Sequence, residues 1–320
     1  MKHHVNLLYA LLFPLFLSCS STSDETIVPP IDPPSPTPDV TPPASTKWTF
    51  NYSLPTQETT ATRAIGSDIQ FTQLDASNRV GLFCLKSNVT FYFDNLKYKD
   101  GADGRLVPDE GVDAPNKYSG QCKIIACAPY SDTFKSLPEN ITFPVQLDQT
   151  TTEGLIASDL LWTEAEVDDQ ADNVELEFQR VFPRWVLTVS IGGGLQPEDF
   201  QGTTLAIYKV LTQIGFNAKT GQTDSNATEQ ANISFLKIAD DNTSSTFVGT
   251  VILPPQKRDA CYLQIIFKDG VKRYFKFDPT VFQQGKRYYS DIQLTGYPND
   301  IKANIKSWEE ENHEGYIRQE

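Results

Sequence analysis

The pattern of apolar and polar positions divides the chain into three stretches. Residues 7–17 are almost wholly apolar, broken by Pro14, and residues 20–47 are mostly Ser, Thr, Asp and Pro. From Trp48-Thr49-Phe50-Asn51-Tyr52 onward, short apolar runs alternate with polar breaks. Most of these runs carry the β-branched and aromatic residues that suit strands. Strands are predicted at 80–85, 89–93 and 123–128, the last ended by Pro129. Leu176-Glu177-Phe178 leads toward another at 185–191, and further strands follow at 204–210, 247–253, 288–294 and 301–305. Residues 262–267 and 271–277, joined by Lys268-Asp269-Gly270, predict a hairpin, because Asp-Gly supports a tight turn. Convincing amphipathic helices are few. Many short strands separated by Asn, Asp, Gly and Pro predict an all-β protein made of β-sandwiches.

The first apolar run is shorter than the roughly 20 residues that span a bilayer. With Lys2 before it, the run fits a secretory signal peptide. Phe16-Leu17-Ser18-Cys19 then looks like a lipobox, with Cys19 receiving lipid and becoming the new N-terminus. The other reading is an ordinary signal peptide with a chance cysteine. Lipid chains anchor because each buried methylene contributes about 0.8 kcal/mol. The Pro-rich stretch then serves as a stiff spacer, rising about 3.1 Å per residue in polyproline II form. Asp24-Glu25 reads either as a surface-export address or as ordinary linker. No later segment is apolar for long enough to cross a membrane as a helix, so the rest is expected to hang from the outer membrane by its lipid. The expected organisation is signal peptide 1–18, lipidated linker 19–47, and two domains at 48–173 and 174–320. The polar stretch 164–173 suggests the border near Asn173, with the Gly192-Gly193-Gly194 turn as its rival.

Charge and side-chain chemistry narrow the function. The net charge of −14 repels phosphate backbones, which disfavours nucleic acid as a partner. Of the three histidines only His313 lies beyond the signal segment. That removes most triad and zinc arrangements, which need His as base or ligand. Beside Glu309, Glu310 and Glu311, His313 reads as a solvated group. Asp100-Gly101-Ala102-Asp103-Gly104 lacks the ligand spacing of an EF-hand, and Asp240-Asp241-Asn242 reads better as a turn than as a metal site. The glycine triplet has no GxGxxG or GK[ST] around it. No spacing singles out a carboxylate pair for sugar hydrolysis. No enzyme, cofactor or metal is expected. Tyr92 and Tyr130 read as sugar-stacking rings or as core. Four cysteines follow Cys19, namely Cys84, Cys122, Cys127 and Cys261. Cys122 and Cys127 are five apart and would face opposite sides of one strand. The four are either buried free thiols or include a long-range pair formed in an oxidising compartment.

Several segments, taken in order, resemble the fimbrillin family, the lipoprotein pilins and fimbrillin-like proteins of Gram-negative gut and oral anaerobes. Thr62-Arg63-Ala64 is similar to the family's Arg site, and Val80-Gly81-Leu82-Phe83 to its early GLF-type strand. Ala126-Cys127-Ala128-Pro129-Tyr130 resembles AYAPY, with Cys127 where Tyr is usual. Ser158-Asp159-Leu160-Leu161-Trp162 resembles the SDLLW signature. Leu176-Glu177-Phe178-Gln179-Arg180-Val181-Phe182-Pro183-Arg184-Trp185 resembles the L-x-F-x-H-x-x-A-K strand. Gln179 or Arg180 stands there in place of His, and Arg184-Trp185 in place of the small-plus-basic pair. Residues 301–308 with Gly315 resemble the closing I-x-x-W strand.

The resemblance implies two tandem transthyretin-like β-sandwich domains and a pilus role. In polymerising members an Arg-specific protease cuts after the Arg and removes the first strand. A neighbour's strand then fills the groove by β-augmentation. For this chain the implied cut is at Arg63, which reads otherwise as a surface basic residue. The implied donor is the C-terminal segment, with Ile301, Ala303 and Ile305 alternating with Lys302, Asn304 and Lys306, and Trp308 locking the end. That segment reads otherwise as completing its own sheet. Expected partners are other fimbrillin-like subunits, a host or bacterial surface protein or glycan, and the outer membrane through the lipid. The other function kept open is a non-polymerising surface lipoprotein that binds glycan or protein.

Overall fold

Strand-forming runs become strands along nearly the whole described chain, and their burial decides how they read in the sequence. The computed structural model describes residues 46–55, 74, 78–87, 90–101, 103–168, 170–192, 195–224, 229–237, 246–258, 261–277, 280–295, 302–307 and 312–316. Contacts join Ala44–Glu320 into one unit. Its first half holds β1 (Thr49–Ser53), β2 (Arg79–Ser87), β3 (Thr90–Asp100), β4 (Arg105–Pro108), β5 (Cys122–Ala128) and β6 (Ile141–Pro144). Helix α1 (Thr152–Ser158), β7 (Leu161–Val167), β8 (Asn173–Glu177) and β9 (Gln179–Arg180) complete it. The second half begins with β10 (Arg184–Gly192), β11 (Thr204–Leu211), β12 (Gln213–Asn217), β13 (Gln222–Thr223), β14 (Gln230–Ser234), β15 (Leu236–Lys237) and β16 (Thr246–Ile252). It ends with β17 (Gln256–Arg258), β18 (Cys261–Ile266), β19 (Lys272–Phe277), β20 (Thr280–Phe282), β21 (Arg287–Thr295), β22 (Lys302–Ser307) and β23 (Asn312–Tyr316).

The all-β expectation holds. An eight-stranded sheet runs β8-β1-β4-β3-β2-β5-β7-β9. A six-stranded sheet runs β15-β16-β10-β21-β22-β23, and a four-stranded sheet runs β14-β11-β18-β19. Strands β8 and β9, which begin at or just after Asn173, pair into the first of these sheets. The Asp-Gly hairpin forms between β18 and β19, but as a longer loop than a two-residue turn. Phe267 and Val271 close it, and Gly270 takes the left-handed φ of 84° that glycine accepts without strain. Helix α1 is capped by Thr151, whose Oγ1 accepts from the Gly154 amide at 3.2 Å. At seven residues it is too short to show a helical period in the sequence.

The middle of the eight-stranded sheet, at β2 and β5, is covered on both faces, and this explains the continuous apolar runs there. On β5, Cys122, Ile124, Ala126 and Ala128 face one core, while Ile125 and Cys127 face the other. Cys122 and Cys127 thus lie on opposite faces, as their spacing predicts. The first core is closed by Trp48, Phe50, Tyr52, Tyr98 and Phe178. The second runs without a break into Trp185, Phe235, Phe275 and Phe277 of the second half.

A seam of hydrogen bonds accompanies that shared core. Strand β6 pairs with β12 from Gln213↔Pro144 to Phe216↔Ile141, so a strand of the first half belongs to a sheet of the second. The fully buried Gln149 side chain donates to Ile252 O at 2.7 Å and accepts from Ile252 N at 2.8 Å. Trp162 Nε1 donates to Ala218 O at 2.9 Å. Gly221 packs against the Trp162 ring so closely that a Cβ there would lie 2.5 Å from it. Arg180 and Asp159, both largely buried, form an ion pair beside α1.

Candidate functional site

Strand β1 is inserted between two strands that come from later in the chain. It runs parallel to β8, in register from Thr49↔Asn173 to Ser53↔Glu177. On its other side it runs antiparallel to β4, with Phe50↔Leu106 and Asn51↔Arg105. Its ends are tied by Thr49 N donating to Asp172 O at 2.9 Å, Tyr52 N to Gly104 O at 2.7 Å and Phe178 N to Ser53 O at 3.0 Å. Backbone bonds of this kind ask for a strand and not for a particular sequence.

Sequence enters through the side chains. Trp48, Phe50, Tyr52 and Leu54 point into the first core, spaced by two as a strand requires. The Phe50 ring meets Tyr98 edge-on at 5.6 Å, Trp48 meets Phe93 at 6.4 Å, and Tyr52 meets Phe178 at 6.4 Å. The Tyr52 hydroxyl accepts from Leu74 N at 3.2 Å, and burial pushes its phenol up to about 12. Burial does the same to Tyr98. On the outer face Asn51 donates to Glu175 at 2.6 Å. The site is therefore a groove between β4 and β8, floored by aromatic rings and filled by β1. The alternation in residues 48–54 was the signal for it. The four-residue strand β4 left no such mark.

The expected site residues fall in different places. Cys19 and Arg63 lie outside the described residues, Arg63 between β1 and β2 in the chain. Ile301 and Trp308 also lie outside them. Ala303 and Ile305 belong to β22, opposite Ile292 and Ser290 of β21. Strand β22 pairs on its other side with β23, where Ile305 is opposite His313. The C-terminal segment thus sits in the six-stranded sheet, away from the β1 groove in pairing terms.

Other candidate groups are engaged by their own surroundings. Tyr92 is half-buried beside Tyr118 at 5.4 Å, and Lys86 Nζ lies 5.2 Å from each ring. The Tyr130 hydroxyl donates to Asp132 at 2.8 Å. Cys84, Cys122, Cys127 and Cys261 are all buried and unbonded in this structure. Burial alone pushes the Cys127 thiol up, and burial pushes that of Cys261 to about 12. Asp109 joins three bases, with Arg79 Nε at 2.8 Å, Lys97 at 3.6 Å and Lys99 at 4.0 Å. The Arg79 hydrogen bond holds its carboxyl below the usual range. Among the described residues no group of three or more His, Cys, Asp or Glu could hold a metal ion.

Comparison with known proteins gives this geometry a family. A profile of the fimbrillin-like family matches residues 62–308. None of the curated proteins searched matches the sequence. Among solved structures, a candidate cell adhesion protein from Bacteroides uniformis superposes with a TM-score of 0.60 at 19% identity, covering 82% of this chain and 100% of its own. A second, from Bacteroides ovatus, gives 0.62 at 17% identity, covering 83% and 98%. A third, from Bacteroides fragilis, gives 0.53 at 10% identity, covering 83% and 99%. At these identities the likeness is one of fold. The profile spans well over half of the sequence, and with it the chain belongs to the fimbrillin-like family.

Proposed function

We propose that this chain is a structural subunit or tip adhesin of a surface fimbria, assembled by strand replacement in the groove that β1 fills. In this reading Cys19 carries the lipid that holds the precursor to the outer membrane. Cleavage after Arg63 releases everything before it, β1 included. The observation that supports the reading is the seat of β1: hydrogen-bonded on both edges, aromatic on its inner face, and N-terminal to Arg63. Its three rings bury enough apolar surface that emptying the groove costs on the order of 10 kcal/mol. An emptied groove is therefore a strong acceptor for any strand with apolar residues at alternate positions. Residues 301–305 have that pattern, with Ile301, Ala303 and Ile305 as the pocket-filling side chains and Trp308 locking the end. The partners are then other fimbrillin-like subunits.

One observation favours the second reading, a non-polymerising surface lipoprotein that binds a glycan or protein. Strand β22 is hydrogen-bonded on both edges, to β21 and to β23, so donating it means taking it out of its own sheet.

Brief treatment of the purified, folded protein with an Arg-specific protease separates the two. The first reading expects a cut after Arg63, loss of the β1 fragment and formation of polymers, with no polymers when residues after Asp300 are deleted. Resistance of Arg63 in the folded protein, or a cut product that stays monomeric, leaves the second reading.

A further inference from the structure

The outer face of the four-stranded sheet carries side chains that the β1 groove does not use. Along β18 and β19, Leu263, Ile265, Phe275 and Phe277 point into the second core. Tyr262, Gln264, Tyr274 and Lys276 alternate with them and therefore point outward. On β11, Ala206 and Tyr208 alternate in the same way with the core residues Leu205 and Ile207. Register sets these outward residues in two rows across the strands. Tyr208, Tyr262 and Lys276 form one row, and Ala206, Gln264 and Tyr274 form the next. The rings of Tyr208 and Tyr274 meet edge-on at 5.3 Å, reaching across β18, where Gln264 is only 4% exposed. The Gln264 amide donates to the Tyr274 hydroxyl at 2.7 Å. All three tyrosines stay partly exposed.

The charge of this sheet is opposite in sign to that of the chain. The protein carries a net charge of −14, yet β11, β14, β18 and β19 hold Lys209, Lys272, Arg273 and Lys276 and neither Asp nor Glu. Lys272 and Lys276 share the outward side of β19 with Tyr274. Lys209 sits at a break in the β11–β14 register, with its amide bonded to Asn232 Oδ1 at 3.0 Å and its Nζ 5.1 Å from the centre of the Tyr208 ring. Arg273 has the inward parity and lies over the Phe267 ring at 5.2 Å. Asp269, in the loop between β18 and β19, accepts from the Val271 amide of its own loop at 3.0 Å.

We infer that this face binds an acidic polysaccharide, with sugar rings on the tyrosines and carboxylate or sulfate groups on the lysines. Tyrosine suits a sugar because its ring offers an apolar surface to C–H groups while its hydroxyl hydrogen-bonds. Lysine pairs with a carboxylate or sulfate through a charge-assisted bond. Strand spacing and rise make the platform about 10 Å wide and about 14 Å long, which suits a run of linked sugars better than a single ring. A protein interface centres on an apolar cluster. The centre here is a buried amide between two phenol rings. Such binding rests on the reading of the chain as a surface adhesin or binding lipoprotein. It is independent of strand replacement, because the platform and the β1 groove lie in different sheets.

The test is affinity electrophoresis of the purified, folded, uncleaved protein. Native gels contain polygalacturonate, chondroitin sulfate, neutral dextran or single-stranded DNA, the last being the other anionic polymer that stacks on aromatic rings. At least one of the two acidic polysaccharides is expected to retard the wild type, and dextran and DNA are not. Joint Tyr208→Ala and Tyr274→Ala is expected to weaken binding about tenfold. Joint Lys272→Gln and Lys276→Gln is expected to weaken it several-fold and to flatten its dependence on salt. The lysine pair reads the site even where the tyrosine pair fails to fold. No retardation by either acidic polysaccharide overturns the inference and leaves protein as the ligand of the binding reading. Retardation that both variants keep overturns the assignment to this sheet and leaves glycan binding standing. Retardation by DNA as strong as by polysaccharide, or self-association that the tyrosine pair abolishes, gives the face to a different partner and also overturns it.

Discussion

Strands β1 and β6 are both short, and each pairs with residues distant in sequence, yet they are held differently. Strand β1 lies near one end of the described chain and pairs only within the first sheet, by backbone bonds and a row of aromatic plugs. Strand β6 lies mid-chain, pairs with β12 of the second half, and is flanked by the buried Gln149 amide and by Trp162. A plug held mainly by backbone bonds and apolar rings, with side-chain hydrogen bonds only at Asn51 and Tyr52, is the part that the proposed strand replacement would exchange. A seam strand cannot leave without opening a core that runs through both halves. The fold thus separates a strand held within one sheet from one built into a core shared by both halves.

That contrast is breakable by mutation. Trp162→Ala removes the indole that bridges the halves and leaves the Ala218 carbonyl without its donor. It should cost about 4 kcal/mol, with both halves melting together in calorimetry. Two separate transitions would contradict a common core. Gln149→Leu keeps the volume but strands the amide and carbonyl of Ile252. It should cost about 3 kcal/mol, read as a shift in denaturant midpoint without a change in slope. Phe50→Leu keeps an apolar plug of smaller area and loses the edge contact with Tyr98. It should cost about 1–2 kcal/mol. Hydrogen exchange should quicken in β1, β4 and β8 and stay unchanged in β10 and β21. Equal quickening in both halves would show that β1 is not separable.

The smallest effect concerns pH. Asp109 is held below the ordinary carboxylate range by Arg79, so its contribution is complete above the unfolded value of about 3.9. It is lost as pH falls through the lower folded value. Asp109→Asn should flatten the acid limb of a stability–pH profile below about pH 4, and high salt should shrink the difference. Persistence of the full acid limb in this variant would assign it to other carboxylates.

Much of the fold was legible because burial on one or both faces leaves a mark on sequence. The runs at 80–85 and 123–128 are continuously apolar because the sheet is covered on both faces at β2 and β5, and residues 48–54 alternate because it is covered on one face at β1. Strands β4, β6 and β12 passed unseen. The first two have four residues each, too few for a period, and β12 carries a Gly among its apolar residues. The aromatic plug was visible as a strand but not as the filling of a groove, because the walls of that groove lie some 55 and 120 residues further on.

By itself the sequence determined the class of the protein: short β-rich runs, a net negative charge, a single histidine after the first four residues and a family pattern spread along the chain. Those properties are local or additive, and each residue carries its share. Only the tertiary structure decided which strands became neighbours. It put β8 beside β1, joined β6 to β12 across the two halves, and set Cys84 of β2 opposite Ile124 of β5. The physical reason is that strand hydrogen bonds form between backbones, which are alike at every position. Partner choice is settled by how side chains from distant segments fill a common core.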